Sequence, residues 1–196
     1  MKSLDDAKRN SLRLFSNSGW VRWIHEGSSP AYTPATKEVN IVLSALSLGM
    51  HCPTCLNLNG CCFPKNNMPE YPLHPNCHCS VEPVYNINFA AKCDIGKFEN
   101  YIFNTDIKIN KGKKSLFESW GYNTNDSKWL QQELIRQAVE KYQNGNFTLN
   151  KLDSYGQRIN IEIILPRKNN EGFVVFITGW MVYLDGTIIL TTPYGD

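Results

Sequence analysis

Six of the seven cysteines fall between Cys52 and Cys79, and only Cys93 lies outside. No other feature restricts the fold as strongly. The cluster reads His51-Cys52-Pro53-Thr54-Cys55, then Gly60-Cys61-Cys62, then His74-Pro75-Asn76-Cys77-His78-Cys79. A disulfide framework belongs to small secreted chains. The opening Met1-Lys2-Ser3-Leu4-Asp5-Asp6 is polar and acidic, unlike a signal peptide. No apolar run approaches the roughly 18–20 residues that span a bilayer. The expectation is a soluble, cytoplasmic protein without membrane contact, in which reduced thiols serve a metal.

Cys52-x-x-Cys55 is a tight turn that lets two thiolates share one tetrahedral ion. His74-x-x-Cys77-x-Cys79 supplies three further donors about twenty residues later. A structural zinc site takes four ligands, and the candidates are Cys52, Cys55, His74, Cys77 and Cys79. The four cysteines are the favoured set, with His74 replacing Cys77 or Cys79 as the alternative. Cys61 and Cys62 are adjacent, and adjacent cysteines rarely chelate one ion together, so they read as small apolar residues beside Phe63. His51 and His78 read as neighbours of the site rather than ligands. A redox Cys-x-x-Cys opens a helix after a strand, whereas Pro53 follows a Gly49-Met50-His51 loop.

The hydrophobic pattern predicts helices over 3–17 and after Thr33-Pro34, the second carrying Val39, Val42, Leu43 and Leu46 up to Gly49. Proline and asparagine dominate 64–75, so this loop is expected to depend on about 10 kcal/mol or more of metal binding. Residues 81–93 read as a linker or edge segment. Helices follow near Ile95–Phe103 and Lys113–Trp120. A longer one starts at Asp126 and places Leu130, Leu134, Ala138 and Tyr142 on one face. The period then becomes two: Ile159, Ile161, Ile163 and Leu165 mark a strand, and Phe173–Thr178 and Trp180–Tyr183 continue a sheet. Asp185-Gly186 turns into Thr187–Thr191. The fold class is α+β. A small zinc-stabilised helical and loop unit over 1–85 precedes a domain over 94–196, where helices pack on a four- to five-stranded antiparallel sheet. The sheet is expected in the second domain alone.

The net charge of +2, from 20 basic and 18 acidic residues, is too balanced to argue nucleic-acid binding and does not exclude it. A metal-independent ribonuclease needs a base, an acid and a cation for the phosphate. No histidine follows His78, so the candidates at turns and element ends are Lys97, Lys113, Lys114, Arg158, Thr178, Thr191 and Tyr194. Each also has a purely structural reading: Lys113 and Lys114 solvate a helix start, Arg158 a strand edge, and Thr191 to Tyr194 close a strand. Trp120 and Trp180 read as core rather than as stacking platforms. The sequence by itself assembles no active site.

Cys52, Cys55, Gly60, Phe63, His74, Pro75, Cys77 and Cys79 together resemble the cysteine–histidine segment of phage Mu F-like minor head (head morphogenesis) proteins. That pattern has Arg where this chain has His78. Val21-Arg22-Trp23-Ile24-His25 and Thr33 to Glu38 fit the same context, so the resemblance covers about residues 1–85. It implies a virion or phage-associated role with head or portal components as partners. Lys97 with Tyr101, Lys113 to Phe117, Trp120-Gly121-Tyr122 and Thr191 to Tyr194 resemble an uncharacterised domain attached to phage-head-like proteins and polymorphic toxins. Helices followed by a four-stranded sheet are also similar to compact barnase- and colicin-type ribonuclease toxins. That likeness implies an RNA substrate and an immunity protein as partner. Two functions are therefore expected: an interaction module, or a toxin-type ribonuclease.

Overall fold

Val21, Trp23 and His25 are buried, while Trp20, Arg22 and Ile24 between them are partly exposed. This period of two is the signature of a half-buried strand. Trp20–His25 forms β1 of the computed structural model, which describes residues 19–25, 52–75, 77, 79–110 and 112–195. The helices expected over 3–17 and after Thr33-Pro34, and both His51 and His78, lie outside the described residues.

β1 is the centre of a three-stranded sheet with β2 (Cys62–Pro64) on one side and β3 (Cys79–Val84) on the other. Both pairings are antiparallel, with Arg22 opposite Cys62 and His25 opposite Cys79. The expectation of a sheet in the second domain alone is corrected here. β1 joins partners distant in sequence, and the bulky residues on its outer face hide its alternation. The short helix α1 (Pro53–Leu58) precedes β2. Leu58, Phe63 and Trp23 are fully buried, and Tyr71 meets Trp23 edge-on at 5.4 Å. The cysteine-rich segment therefore has an apolar core of its own.

The chain divides into two compact units. The first gathers the described residues up to Phe89 with Leu149–Arg158 and Val182–Thr187. The second gathers Ala90–Thr148, Ile159–Met181 and the chain from Ile188. The change from one to the other at Phe89 falls inside the segment expected to be a linker. Two later stretches nevertheless belong to the first unit.

Five strands form the larger sheet in the order β4-β8-β7-β6-β5. They are β4 (Ala90–Lys92), β5 (Thr148–Asp153), β6 (Gly156–Pro166), β7 (Phe173–Val182) and β8 (Thr187–Gly195). Strands β5 to β8 are joined in order by short turns. The Asp185-Gly186 turn has φ of 52° and 82°, the left-handed pair that matches the twist of a two-residue hairpin. The helical elements come before these strands: a π-helical turn at Lys97–Ile102, α2 (Ile107–Asn110), α3 (Lys113–Ser119) and α4 (Ser127–Gln143). α2 was not expected from the sequence.

α4 buries Leu130, Leu134, Ala138 and Tyr142. In the second unit these share a core with Ile159, Ile161, Ile163 and Leu165 from β6 and with Phe176 and Trp180 from β7. Truncating one such large side chain costs about 2–5 kcal/mol. Asp126 is the N-cap residue of α4, but its side chain makes no cap hydrogen bond. The capping box lies one turn earlier, where Asn123 and Asp126 bond each other's backbone N–H groups. No helix among the described residues is long and apolar enough to cross a membrane.

Candidate metal centre

Pro53 occupies the first turn of α1, where its missing N–H costs nothing and its fixed φ favours the helix. Cys52 is thereby left as the extended N-cap residue, at φ −73° and ψ 122°, with its carbonyl bonded by Leu56 N–H at 3.1 Å. Cys55 follows within the first helical turn. The pair does open a helix, while residues 49–51, on which the argument against a redox Cys-x-x-Cys rests, lie outside the described residues; the surrounding donors carry the distinction. On the facing segment, the Cys77 N–H bonds the His74 carbonyl at 3.2 Å and closes a turn. Cys79 begins β3, and the Tyr71 hydroxyl donates to its carbonyl at 3.1 Å.

All five sequence-predicted donors come together. Cys52, Cys55 and His74 form one group and Cys55, Cys77 and Cys79 a second, with the ligand atoms of each group all within 4.8 Å of one another. Cys55 is common to both. Its Sγ lies 3.6 Å from Cys77 Sγ and 3.3 Å from His74 Nε2. With metal–sulfur bonds of about 2.3 Å and metal–nitrogen bonds of about 2.0–2.1 Å, a tetrahedral ion needs donor separations of about 3.6–3.8 Å. The observed spacings are close to that. The donor set is a Cys/His cluster that fits a metal ion.

The electrostatics agree with the geometry. A hydrogen bond with Cys79, burial, and the nearby charge of Cys79 and Cys77 all push the Cys55 thiol well above its ordinary range. Burial pushes the Cys77 thiol up as well. Burial also opposes ionisation of Cys52, but hydrogen bonds from Cys55 and Thr54 outweigh it and hold that thiol below its ordinary value. Crowded thiols cannot all ionise without a cation, and a bound cation reverses the penalty. The backbone carbonyl of Pro75, 3.0 Å from His74 Nδ1, raises the imidazole pKa, as do the Cys52 and Cys79 thiols against a smaller opposing effect of burial. With the Nδ1 proton on that carbonyl, Nε2 turns its lone pair toward Cys55, the arrangement common to metal-binding histidines.

Cys61 and Cys62 are buried and belong to neither donor group among the described residues. Cys61 Sγ contacts the carbonyls of Asn57 and Val182 at 3.6 and 3.7 Å. Burial first, with the charges of Cys62 and Asp185, pushes its thiol well up, the behaviour of an inert core cysteine. Gly60, at φ +81°, brings the backbone against Leu184, which an added Cβ would strike at 2.5 Å.

The residues offered for catalysis are not assembled in the same way. Lys97 Nζ donates to the Thr191 carbonyl at 3.0 Å, so these two do meet. Lys113 Nζ sits 5.2 Å from the centre of the Tyr101 ring, and Lys114 pairs with Glu118 at 4.0 Å. Thr178 is fully buried, donating to the Ile161 carbonyl and accepting from Trp180 Nε1, both at 2.8 Å. It stands in the core, not on an open face. Arg158 belongs to the first unit and lies 3.6 Å from Asp153. Tyr194 lies on β8, and its side chain is outside the described residues. Sequence reasoning missed Asp94 and Asn100, which line a cleft with Lys97 and Tyr101; no motif marks them.

Residues 86–194, just over half of the chain, match the family described as Domain of unknown function (DUF6883). The Cys/His cluster lies before the matched residues. Neither a curated protein nor a solved structure matches the chain.

Proposed function

The chain belongs to the DUF6883 family, and from that premise we propose that it is a phage minor-head-like protein whose DUF6883 domain is preceded by a structural zinc module. The convergence of Cys52, Cys55, His74, Cys77 and Cys79 carries this reading. Thiolate-rich donor sets suit zinc, and four protein ligands close a structural site against solvent and substrate. Cys52, Cys55, Cys77 and Cys79 are the proposed ligands, with His74 the rival for the place of Cys77 or Cys79. Bound there, zinc would fasten the start of α1 to the 74–77 turn and the start of β3. The DUF6883 domain would then dock a head or portal component.

Elemental analysis of the full chain, purified without added metal, should give one zinc per chain. Less than about a quarter equivalent with freely titratable thiols would overturn the zinc assignment. Sizing chromatography of the zinc-loaded chain with purified head and portal components tests the interaction, and failure to co-elute counts against it. The ribonuclease reading has narrower support: among the described residues, the contact between its candidates is that of Lys97 with the Thr191 carbonyl. Cleavage of tRNA in the presence of EDTA, relieved by an immunity protein, would restore it.

A further inference from the structure

The second unit carries a cleft of about 430 Å³ lined by Asp94, Lys97, Asn100, Tyr101 and Thr192 among others. Its volume falls within the range of small-molecule sites, about 300–1,000 Å³. The Lys97 ammonium is half-buried and held by one bond, to the Thr191 carbonyl at 3.0 Å. Among the described residues it has no carboxylate partner. Two of its three protons therefore remain available. Asp94 uses Oδ1 to accept the Gly96 N–H at 2.8 Å and leaves Oδ2 unbonded among the described residues. The Asn100 amide and the Tyr101 hydroxyl likewise have no bond there, and Lys113 brings a second ammonium to the Tyr101 ring at 5.2 Å.

An ammonium fixed by the Thr191 carbonyl, in one cleft with a carboxylate that has one oxygen unbonded, selects a particular ligand chemistry. A simple anion gains from Lys97 but is repelled by Asp94. A neutral sugar bonds Asp94 and Asn100 but leaves the ammonium unused. A ligand with anionic oxygens at one end and hydroxyl donors at the other satisfies both. We propose that this cleft binds a phosphorylated sugar, with the phosphate on Lys97 and the hydroxyls on Asp94 and Asn100. The sugar phosphate is either free or a unit of an RNA strand. This assignment is independent of the zinc module, because every residue in it belongs to the second unit.

Titration of the isotope-labelled full chain with ribose 5-phosphate tests the assignment through the amide signals of 94–101 and 191–192. Inorganic phosphate, ribose and a short single-stranded RNA form the other arms. Saturable binding of ribose 5-phosphate, tighter than that of phosphate or ribose, is the expected result. Binding of the RNA with none of free ribose 5-phosphate would place the sugar phosphate in a strand. Lys97→Gln should weaken binding at least about tenfold. Asp94→Asn keeps the oxygen that accepts Gly96 N–H, so the loop stays formed. It should weaken ribose 5-phosphate and strengthen inorganic phosphate. Should Lys97→Gln not fold, that reversal still decides the matter. No saturation by ribose 5-phosphate or RNA, equal binding of phosphate and ribose 5-phosphate, or folded variants with unchanged affinity would overturn the proposal.

Discussion

The side chain of Gln137 bonds both backbone groups of Ile164: Oε1 accepts its N–H at 3.0 Å, and Nε2 donates to its carbonyl at 2.6 Å. Gln137 is buried on α4, and Ile164 lies on β6. A helix side chain thus does at this point what a neighbouring strand's peptide group would do. It satisfies backbone groups that would otherwise need another partner.

Replacing Gln137 by Leu keeps volume and helix propensity but leaves the Ile164 N–H and C=O without this partner. Each unsatisfied buried group costs about 1–3 kcal/mol. Partial hydration at the edge reduces the sum, so the expected loss is about 2–3 kcal/mol. Urea unfolding measures it. A loss below about 0.5 kcal/mol would mean that water replaces the glutamine without penalty.

The elements that were legible in the sequence have local causes. α4 and β6 declare themselves through their spacing of apolar residues, and the Asp185-Gly186 turn through two residues that tolerate positive φ. The Cys/His cluster was legible because chelating donors come at short spacings, and His74, Cys77 and Cys79 lie within one turn and the start of a strand. β1 was not legible. Its partners β2 and β3 begin at Cys62 and Cys79, and its exposed face carries Trp20 and Ile24, which blur the alternation. The cleft was hidden for the same reason, since Lys97 and Thr191 meet across a separation of 94 residues. Thr178 misled because a threonine hydroxyl in a strand reads as exposed until its partners Ile161 and Trp180 are known.

Cys55 is shared by both donor groups, whereas His74 belongs to one. Cys55→Ala should therefore abolish stoichiometric zinc, leaving less than about a quarter equivalent by elemental analysis. With four cysteine ligands, His74→Ala should keep close to one equivalent and bind more weakly. Loss of zinc from His74→Ala as complete as that from Cys55→Ala would make His74 a ligand. Cys61→Ala should change zinc content in neither direction, because that thiol faces backbone carbonyls.

Chelation should loosen the Cys/His segment far more than the second unit. Amide hydrogen exchange of the full chain with and without a strong chelator checks this. Exchange should rise across 52–79, most of all around Cys52, Cys55 and Cys77, where an ion would tie separate segments together. Protection at Trp23 and Phe63 should fall less, because both are fully buried and neither is among the donors. α4 should stay protected. Equal loss of protection in α4 would show that the ion supports more than its own module.

Asp126 provides the pH dependence. Its carboxylate accepts from Lys168 Nζ at 2.7 Å and from the Asn123 N–H at 2.9 Å. Burial opposes its ionisation, but the Lys168 ammonium and the Asn123 N–H outweigh that and hold the carboxyl below the usual carboxylate range. A group whose pKa is depressed on folding stabilises the native state above its unfolded pKa and loses that contribution as pH falls through the folded value. The stability due to ionised Asp126 should thus be complete at pH 7 and at about pH 5, then decline below about pH 4. Lys168 is 46% exposed, so solvent screening limits the pair to about 1 kcal/mol at most. Asp126→Asn keeps an oxygen for the Asn123 N–H and removes the charge. Urea midpoints of the two proteins should differ by a constant amount between about pH 7 and 5 and converge toward about pH 2. A gap that persists undiminished at the acid end would assign the effect to the capping hydrogen bonds rather than to the charge.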